Sequence, residues 1–187
     1  MKKRLFAAAL ALLLLTVPAL ADFNDVPSDA WYYEAVNWAQ SEGLMDGVAE
    51  GTFDPGGTVT RAMVVTILYR LSGEPDMPES DWGYAYADVD SSAWYAVPVY
   101  WARLNGVADG VSDTQFNPTG SITREQLVTM LWRYSGSPQS GTALSFADAD
   151  SVSSWAADAV AWASAAGIVS GRVGNVFGPS GGATRAE

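Results

Sequence analysis

Thr123-Arg124-Glu125-Gln126 occurs in three versions along this chain, preceded by Thr60-Arg61-Ala62-Met63 and followed by Thr184-Arg185-Ala186-Glu187. A Thr with Gln or Glu three residues later, at the head of an apolar run, is a capping-box helix start. The Arg then falls at the first helical position, where the helix dipole disfavours a cation by a few tenths of a kcal/mol, up to about 1. Helix stability alone does not select Arg there. Beside free backbone N–H groups, however, an Arg makes a good anion receptor. The recurrence marks Arg61, Arg124 and Arg185 as candidate ligand-binding residues.

Outward from these stretches the chain repeats itself, and repeats rank ahead of any single element in deciding architecture. Residues 22–73, 86–136 and 146–187 align as three units, joined by linkers 74–85 and 137–145 rich in Ser, Gly, Pro and acids. Each unit opens with aromatic-x-Asp: Phe23-Asn24-Asp25, Tyr86-Ala87-Asp88 and Phe146-Ala147-Asp148. Trp31, Trp94 and Trp155 then head a helical stretch, and Trp38, Trp101 and Trp162 follow seven residues later, each before an Ala. Residues i and i+7 share a helix face, so each Trp pair is expected on one side of one helix. The second Trp of each pair is expected in the core.

Gly43, Gly106 and Gly167, each followed by two apolar residues, read as left-handed helix caps. Pro98 lies inside the second copy's pattern, which sets that helix's start near Ala96, because proline is tolerated only in a first turn. Asp46-Gly47, Asp109-Gly110 and Ser170-Gly171 lead into the loops Phe53-Asp54-Pro55, Phe116-Asn117-Pro118 and Phe177-Gly178-Pro179. Their Gly and Pro punctuation excludes helix, and the repeated Phe should pin the loop to the core. The Thr-Arg helix comes next. Val64, Ile67, Leu68 and Leu71 form its apolar stripe in the first copy, and Leu127, Met130, Leu131 and Tyr134 in the second.

Each unit is thus helix, loop, helix. One such hairpin of about 50 residues buries too little to stand alone, so the copies should pack on one another. Glu187 falls three residues into the third Thr-Arg helix, so the third unit is expected to lack its second helix. The sequence accordingly reads as a truncated product or a piece of a longer protein.

Composition narrows the chemistry. Met1-Lys2-Lys3-Arg4, the apolar run from Leu5 to Val17 and Ala19-Leu20-Ala21 form a signal peptide over residues 1–21, too short for a spanning helix. Losing Lys2, Lys3 and Arg4 lowers the 10 basic residues to 7 and takes the net charge from −11 to −14. Such a surface repels nucleic acid and anionic membranes, so neither is an expected partner after signal cleavage. An anionic ligand must be held by locally placed Arg. Cys and His are both absent, which excludes disulfides, thiol chemistry, the usual zinc sites and a His base. No cofactor, metal site or catalytic residue is implied.

These residues resemble the S-layer homology domain. Phe23-Asn24-Asp25-Val26, Gly106-Val107-Ala108-Asp109-Gly110 and Thr184-Arg185-Ala186-Glu187 match its ordered motifs, and the likeness covers almost the whole mature chain. The resemblance implies an all-α fold in which three repeats pack their Thr-Arg helices into a pseudo-threefold bundle. It also implies grooves between neighbouring repeats that bind secondary cell-wall polysaccharide, typically through a pyruvylated sugar, holding exported proteins at the cell wall or S-layer surface. Carried over by position, Arg61, Arg124 and Arg185 would meet the carboxylate, and Trp31, Trp94 and Trp155 would line the groove or stack on sugar faces. Asp25, Asp88 and Asp148 would accept hydrogen bonds from hydroxyls or orient the Arg. Met63 in place of the capping acid and Ser170 in place of the turn Asp depart from the pattern.

Competing chemistries are weaker. The acidic loops 46–54 and 109–117 lack the spacing of a calcium loop, and no acid pair stands out as a glycosidase acid and nucleophile. Two rival functions remain: a targeting module of a longer exported hydrolase whose catalytic domain lies beyond residue 187, and a structural assembly protein pairing with other S-layer chains.

Overall fold

The computed structural model describes residues 23–78, 80, 82 and 86–187. The expected signal peptide and part of the 74–85 linker lie outside the described residues. Five α-helices are present among them: α1 (Tyr33–Ser41), α2 (Arg61–Leu71), α3 (Ala96–Leu104), α4 (Arg124–Tyr134) and α5 (Ala157–Ala165). With no strand among the described residues, the fold is all-α, as expected. Thr123 caps α4 through the full reciprocal box with Gln126, while Thr60 caps α2 from its own side only, since Met63 cannot return the bond. Thr184–Glu187 forms a hydrogen-bonded turn.

The helix of the second copy begins at Ala96, as Pro98 led one to expect, while those of the first and third copies begin later than their Trp residues suggest. The three start at Tyr33, Ala96 and Ala157, two residues after Trp31, Trp94 and Trp155, which sit in the preceding turn. The expected shared helix face for each Trp pair is therefore corrected. At their far ends, Gly43, Gly106 and Gly167 adopt φ of 66°, 66° and 69°. The next residue's N–H donates back to Ala39, Ala102 and Ala163, closing the apolar cap anticipated for each.

Helices pack between units rather than within them. α2 lies against α3, α4 lies against α5, and α2 touches α4. This widens the buried faces beyond the expected stripes, of which Val64, Leu68 and Met130 are buried. Ala62, Val64, Val65 and Leu68 are buried on α2, while Leu71 is exposed. On α4, Val128 and Met130 are buried, and Leu127, Leu131 and Tyr134 are only half-buried. A helix gripped from two sides needs a wider apolar face than one stripe supplies.

The units meet at the residues just before the Thr-Arg stretches. Ile122 N–H donates to Val59 C=O (3.0 Å), Val59 N–H to Ala183 C=O (3.2 Å), and Ala183 N–H to Ile122 C=O (3.1 Å). The three residues, all buried, thereby close a ring of backbone hydrogen bonds. The helix starts then use up their own orphan donors. Arg61 and Ala62 donate N–H to Gly120 and Pro118, Arg124 and Glu125 to Gly181 and Pro179, and Arg185 and Ala186 to Gly57 and Pro55. Each unit thus binds the next unit's loop, and the third returns to the first.

Inside each unit the opening Asp holds the same loop. Asp25 accepts N–H bonds from Phe53 (2.8 Å) and Asp54 (2.7 Å), Asp88 from Phe116 and Asn117, and Asp148 from Phe177 (2.7 Å) and Gly178 (2.8 Å). Phe53, Phe116 and Phe177 are fully buried beneath, as expected. The residue after each Phe takes a positive φ (60°, 58° and 68° at Asp54, Asn117 and Gly178), a conformation that Asn, Asp and Gly tolerate best.

Trp101 is 5% exposed between Tyr69 and Tyr134, and Trp162 is half-buried, but Trp38 is 54% exposed. The expectation that Trp38 is core is corrected: among the described residues, no helix packs on α1 as α2 packs on α3. Trp101→Ala should accordingly cost about 3–5 kcal/mol, and Trp38→Ala within about 0.5–1 kcal/mol, in denaturant unfolding. Equal losses would contradict this placement.

The backbone N–H bonds also hold the Asp25 and Asp148 carboxyls below the ordinary aspartate range. A depressed folded-state pKa adds stability that is present above the unfolded value and lost as pH falls through the folded one. Thermal stability should therefore hold above the ordinary aspartate value of about 4 and fall as pH drops below it through the lowered folded-state values. Asp25→Asn with Asp148→Asn should lower it at neutral pH and flatten that acid limb; an unchanged acid limb would rule out this contribution.

Candidate functional site

The three Arg side chains leave their helix starts and cross to the next unit. Arg61 donates from Nε to Phe116 C=O (2.9 Å) and from Nη2 to Asp109 C=O (2.7 Å). Arg185 does the same to Phe53 (2.7 Å) and Asp46 (2.7 Å). Arg124 donates from Nε to Phe177 C=O (2.8 Å), but its Nη1 meets the Glu187 carboxylate at 2.6 Å. Each guanidinium also lies over the Phe ring whose carbonyl it binds, 4.4–5.2 Å from the centroid. Arg61 and Arg124 are 5% and 8% exposed, so neither is a solvated surface cation.

This geometry explains a cation at a dipole-disfavoured position. Hydrogen bonds to charged groups contribute about 1.5–3 kcal/mol each, and a cation–π contact about 0.5–2 kcal/mol. Together they outweigh a dipole penalty of up to about 1 kcal/mol. Burial pushes all three guanidiniums below their ordinary value, partly offset by Asp88 and Asp109 at Arg61 and by Glu187 at Arg124. They stay charged regardless. The anion receptor expected from free N–H groups at the helix start is corrected, since those donors are spent on the neighbouring loop. What remains is the guanidinium edge: Nη1 of Arg61 and of Arg185 has no partner among the described residues.

Those edges open into grooves built from all three repeats. Groove 1 is lined by the Leu44-Met45-Asp46 turn and α2 of repeat 1, Trp94 of repeat 2 and Arg185 of repeat 3. Groove 2 combines the Ala108–Val111 turn and α4 of repeat 2, Trp155 of repeat 3 and Arg61 of repeat 1. Groove 3 holds the Ile168–Arg172 turn and Glu187 of repeat 3, Trp31 of repeat 1 and Arg124 of repeat 2. Their volumes are 170, 240 and 270 Å³. A depression of 540 Å³ at Tyr86, Arg103 and Asp113 belongs to repeat 2 alone and contains none of the crossing arginines.

Each groove therefore brings together one candidate Arg and one candidate Trp. Trp31, Trp94 and Trp155 are 74%, 62% and 53% exposed, and Trp31 and Trp94 are braced edge-on by Tyr32 and Tyr95. Asp25, Asp88 and Asp148 do not line the grooves; they hold from below the loop that the Arg holds from above. Among the described residues, no group of His, Cys, Asp or Glu is arranged to hold a metal ion.

Sequence reasoning passed over several lining residues. Arg70 and Arg133 reach Asp46 (3.5 Å) and Asp109 (3.0 Å), and their position nine residues after Arg61 and Arg124 was the available signal. Arg172 stands where the other turns have Val48 and Val111, and it binds Glu187 at 2.9 Å. Thr66 Oγ1, buried on groove 1, has no hydrogen-bond partner, whereas Thr129 Oγ1 donates to Glu125 C=O.

Comparison with known proteins agrees with this repeat geometry. The family model for the S-layer homology domain matches residues 22–62, 85–128 and 145–187. An amylopullulanase from Thermoanaerobacterium thermosulfurigenes is 34% identical over 172 residues, covering 88% of this chain. The exoglucanase XynX from Acetivibrio thermocellus is 32% identical over 88% of the chain. A surface-layer 125 kDa protein from Lysinibacillus sphaericus is 31% identical over 90%. The chain spans 9%, 15% and 14% of the lengths of those proteins. With three matched segments, each carrying a Thr-Arg stretch that grips its neighbour's loop, the chain belongs to the S-layer homology family, whose domains are not catalytic and hold exported proteins at the bacterial cell wall.

Proposed function

We propose that this chain anchors its protein non-covalently by binding an anionic secondary cell-wall polysaccharide, carrying pyruvyl groups, in the grooves between repeats. The units are residues 22–73, 86–136 and 146–187, disposed about an approximate threefold axis through the Val59, Ile122 and Ala183 ring. The observation that carries the reading is the unpartnered Nη1 of Arg61, which is buried, and of Arg185, which is half-buried, each beside an exposed Trp in a groove made by three repeats. A guanidinium held in a low-dielectric wall binds a carboxylate more strongly than one in water. The Trp faces supply apolar area for a sugar ring, and the Asp clamps position the Arg.

Groove size supports a short epitope. Volumes of 170–270 Å³ fall below the ~300–1,000 Å³ typical of drug-sized ligand pockets. Each groove suits one acidic sugar and a neighbour rather than a long buried chain. With a net charge of −11 over the whole sequence, the ligand is drawn in by local Arg contacts and not by the field of the protein.

The names of the relatives favour a second reading of the cargo: a longer exported hydrolase that this module holds at the wall. The full-length gene product should then degrade a polysaccharide. An inactive product that assembles with other S-layer chains would favour the structural reading instead.

For the anchor itself, Trp94→Ala and Trp155→Ala should each lower retention on purified pyruvylated wall polysaccharide by about 5- to 30-fold. Because both side chains are exposed, stability should shift by no more than about 0.5 kcal/mol. Removing pyruvate from the polysaccharide by mild acid should abolish retention. Full retention of both variants, or of the wild type on acid-treated polysaccharide, would overturn the proposal.

A further inference from the structure

The two junctions between repeats are built alike except at one corner. On α2, Tyr69 Oη donates to Pro75 C=O (2.8 Å); on α4, Trp132 Nε1 donates to Pro138 C=O (2.9 Å). Each bond ties the start of a linker back to the helix it leaves. In the first junction Trp82, whose Nε1 donates to Met77 C=O (3.0 Å), stacks on the buried Tyr100 of α3, with ring centroids 4.6 Å apart. In the second, Ala161 stands on α5 where α3 has Tyr100, and residues 137–145 include no aromatic side chain. A cavity of 380 Å³ lies there, between Trp132, the 138–142 loop, Asp158 and Ala161.

The lining of this cavity suits a neutral sugar. The half-buried Trp132 indole offers a flat apolar wall for the C–H face of a sugar ring. Gln139, exposed on the loop, carries an amide that both donates and accepts, and Asp158, exposed on α5, accepts from hydroxyls. Ser140 and Thr142 close the loop on itself: Thr142 Oγ1 donates to Ser140 C=O (3.2 Å) and Ser140 Oγ to Thr142 C=O (3.3 Å). Asp158 is the one charged side chain lining the cavity among the described residues, so an acidic sugar would meet a like charge here. The volume falls within the ~300–1,000 Å³ typical of ligand pockets, above the 170–270 Å³ of the three grooves. The cavity shares no lining residue with them, and Trp132 lies on a different face of α4 from Gln126, Thr129 and Arg133 of groove 2.

We infer that this corner is a saccharide site separate from the three grooves, taking a neutral sugar unit against Trp132 with its hydroxyls on Asp158 and Gln139. It goes beyond the anchor reading and differs from it in ligand charge, since the grooves recognise a carboxylate that this site repels. One aromatic face and a few exposed hydrogen bonds give an affinity in the millimolar range. Such a contact is lost on washing in a retention assay. It adds to anchoring once the grooves hold the same polysaccharide and raise the local concentration of its neutral units.

NMR titration of the full chain tests this with two neutral probes: wall oligosaccharide freed of pyruvate by mild acid, and maltotetraose. At millimolar sugar, saturable shifts of the Trp132 indole N–H and of the 139–142 amides are expected with at least one probe, and the tighter probe names the source. The indole signals of Trp94 and Trp155 should stay in place with both, and move only with pyruvylated oligosaccharide. Ala161→Tyr, which puts the residue of repeat 2 into the cavity, should abolish the Trp132 shifts. Asp158→Ala combined with Gln139→Ala, both at exposed positions, should weaken binding by at least about 5-fold with an unchanged melting temperature. No saturable shift at Trp132 and 139–142 with either probe, or wild-type affinity in the folded double variant, would overturn the site and leave the anchor reading untouched. A missing response of Trp94 and Trp155 to pyruvylated sugar, with the Trp132 response intact, would overturn the anchor reading alone.

Discussion

The structure depends on what a helix start does with donors that have no partner inside the helix. In this chain the first two N–H groups of each Thr-Arg stretch bind Gly and Pro carbonyls in the next repeat, and the third binds the capping Thr in α2 and α4. Water competes poorly for such groups once they are buried, so the donors fix the distance and direction between units. The ring through Val59, Ile122 and Ala183 sits one residue upstream and applies the same constraint to the strand-like approach to each helix. Neither device works in a single repeat. A unit alone would leave its helix start unsatisfied and its Phe loop without the Arg that covers it.

The crossing arginines extend that logic from backbone to side chain. Each guanidinium spends Nε on a Phe carbonyl, covers the Phe ring, and thereby ties one repeat's helix to the loop that the neighbouring repeat's Asp already grips. The Asp and the Arg hold opposite sides of one peptide segment, so the loop is rigid where the groove needs a fixed wall. Five donors on a planar fork allow Arg to do this and still present a free edge. Lys, with one rotating ammonium, could not do both. The structural contacts thus use only some of the nitrogens of one side chain.

A groove assembled from three units also places unusual demands on each. Trp94 and Trp155 stand exposed at the turn before a helix, where their own repeat gains little from them, and face an Arg contributed by a repeat on the far side of the groove. The consequence is that each groove exists only in the assembled chain.

By itself the sequence determined the repeat, the helix boundaries at Thr60 and Thr123, the glycine caps and the buried Phe loops. All of these rest on contacts within a few residues or on recurrence, and both are readable along the chain. Tertiary structure alone decided the rest. The buried faces of α2 and α4 proved wider than the stripes because the helices pack between repeats, and Trp38 proved exposed while Trp101 is buried, although their local sequences look alike. The three Asp residues turned out to hold backbone, and Arg124 to hold Glu187. Each of those outcomes depends on which distant group arrives at a given position, and hydrogen-bond partners 50 or more residues away leave no periodic trace in the sequence.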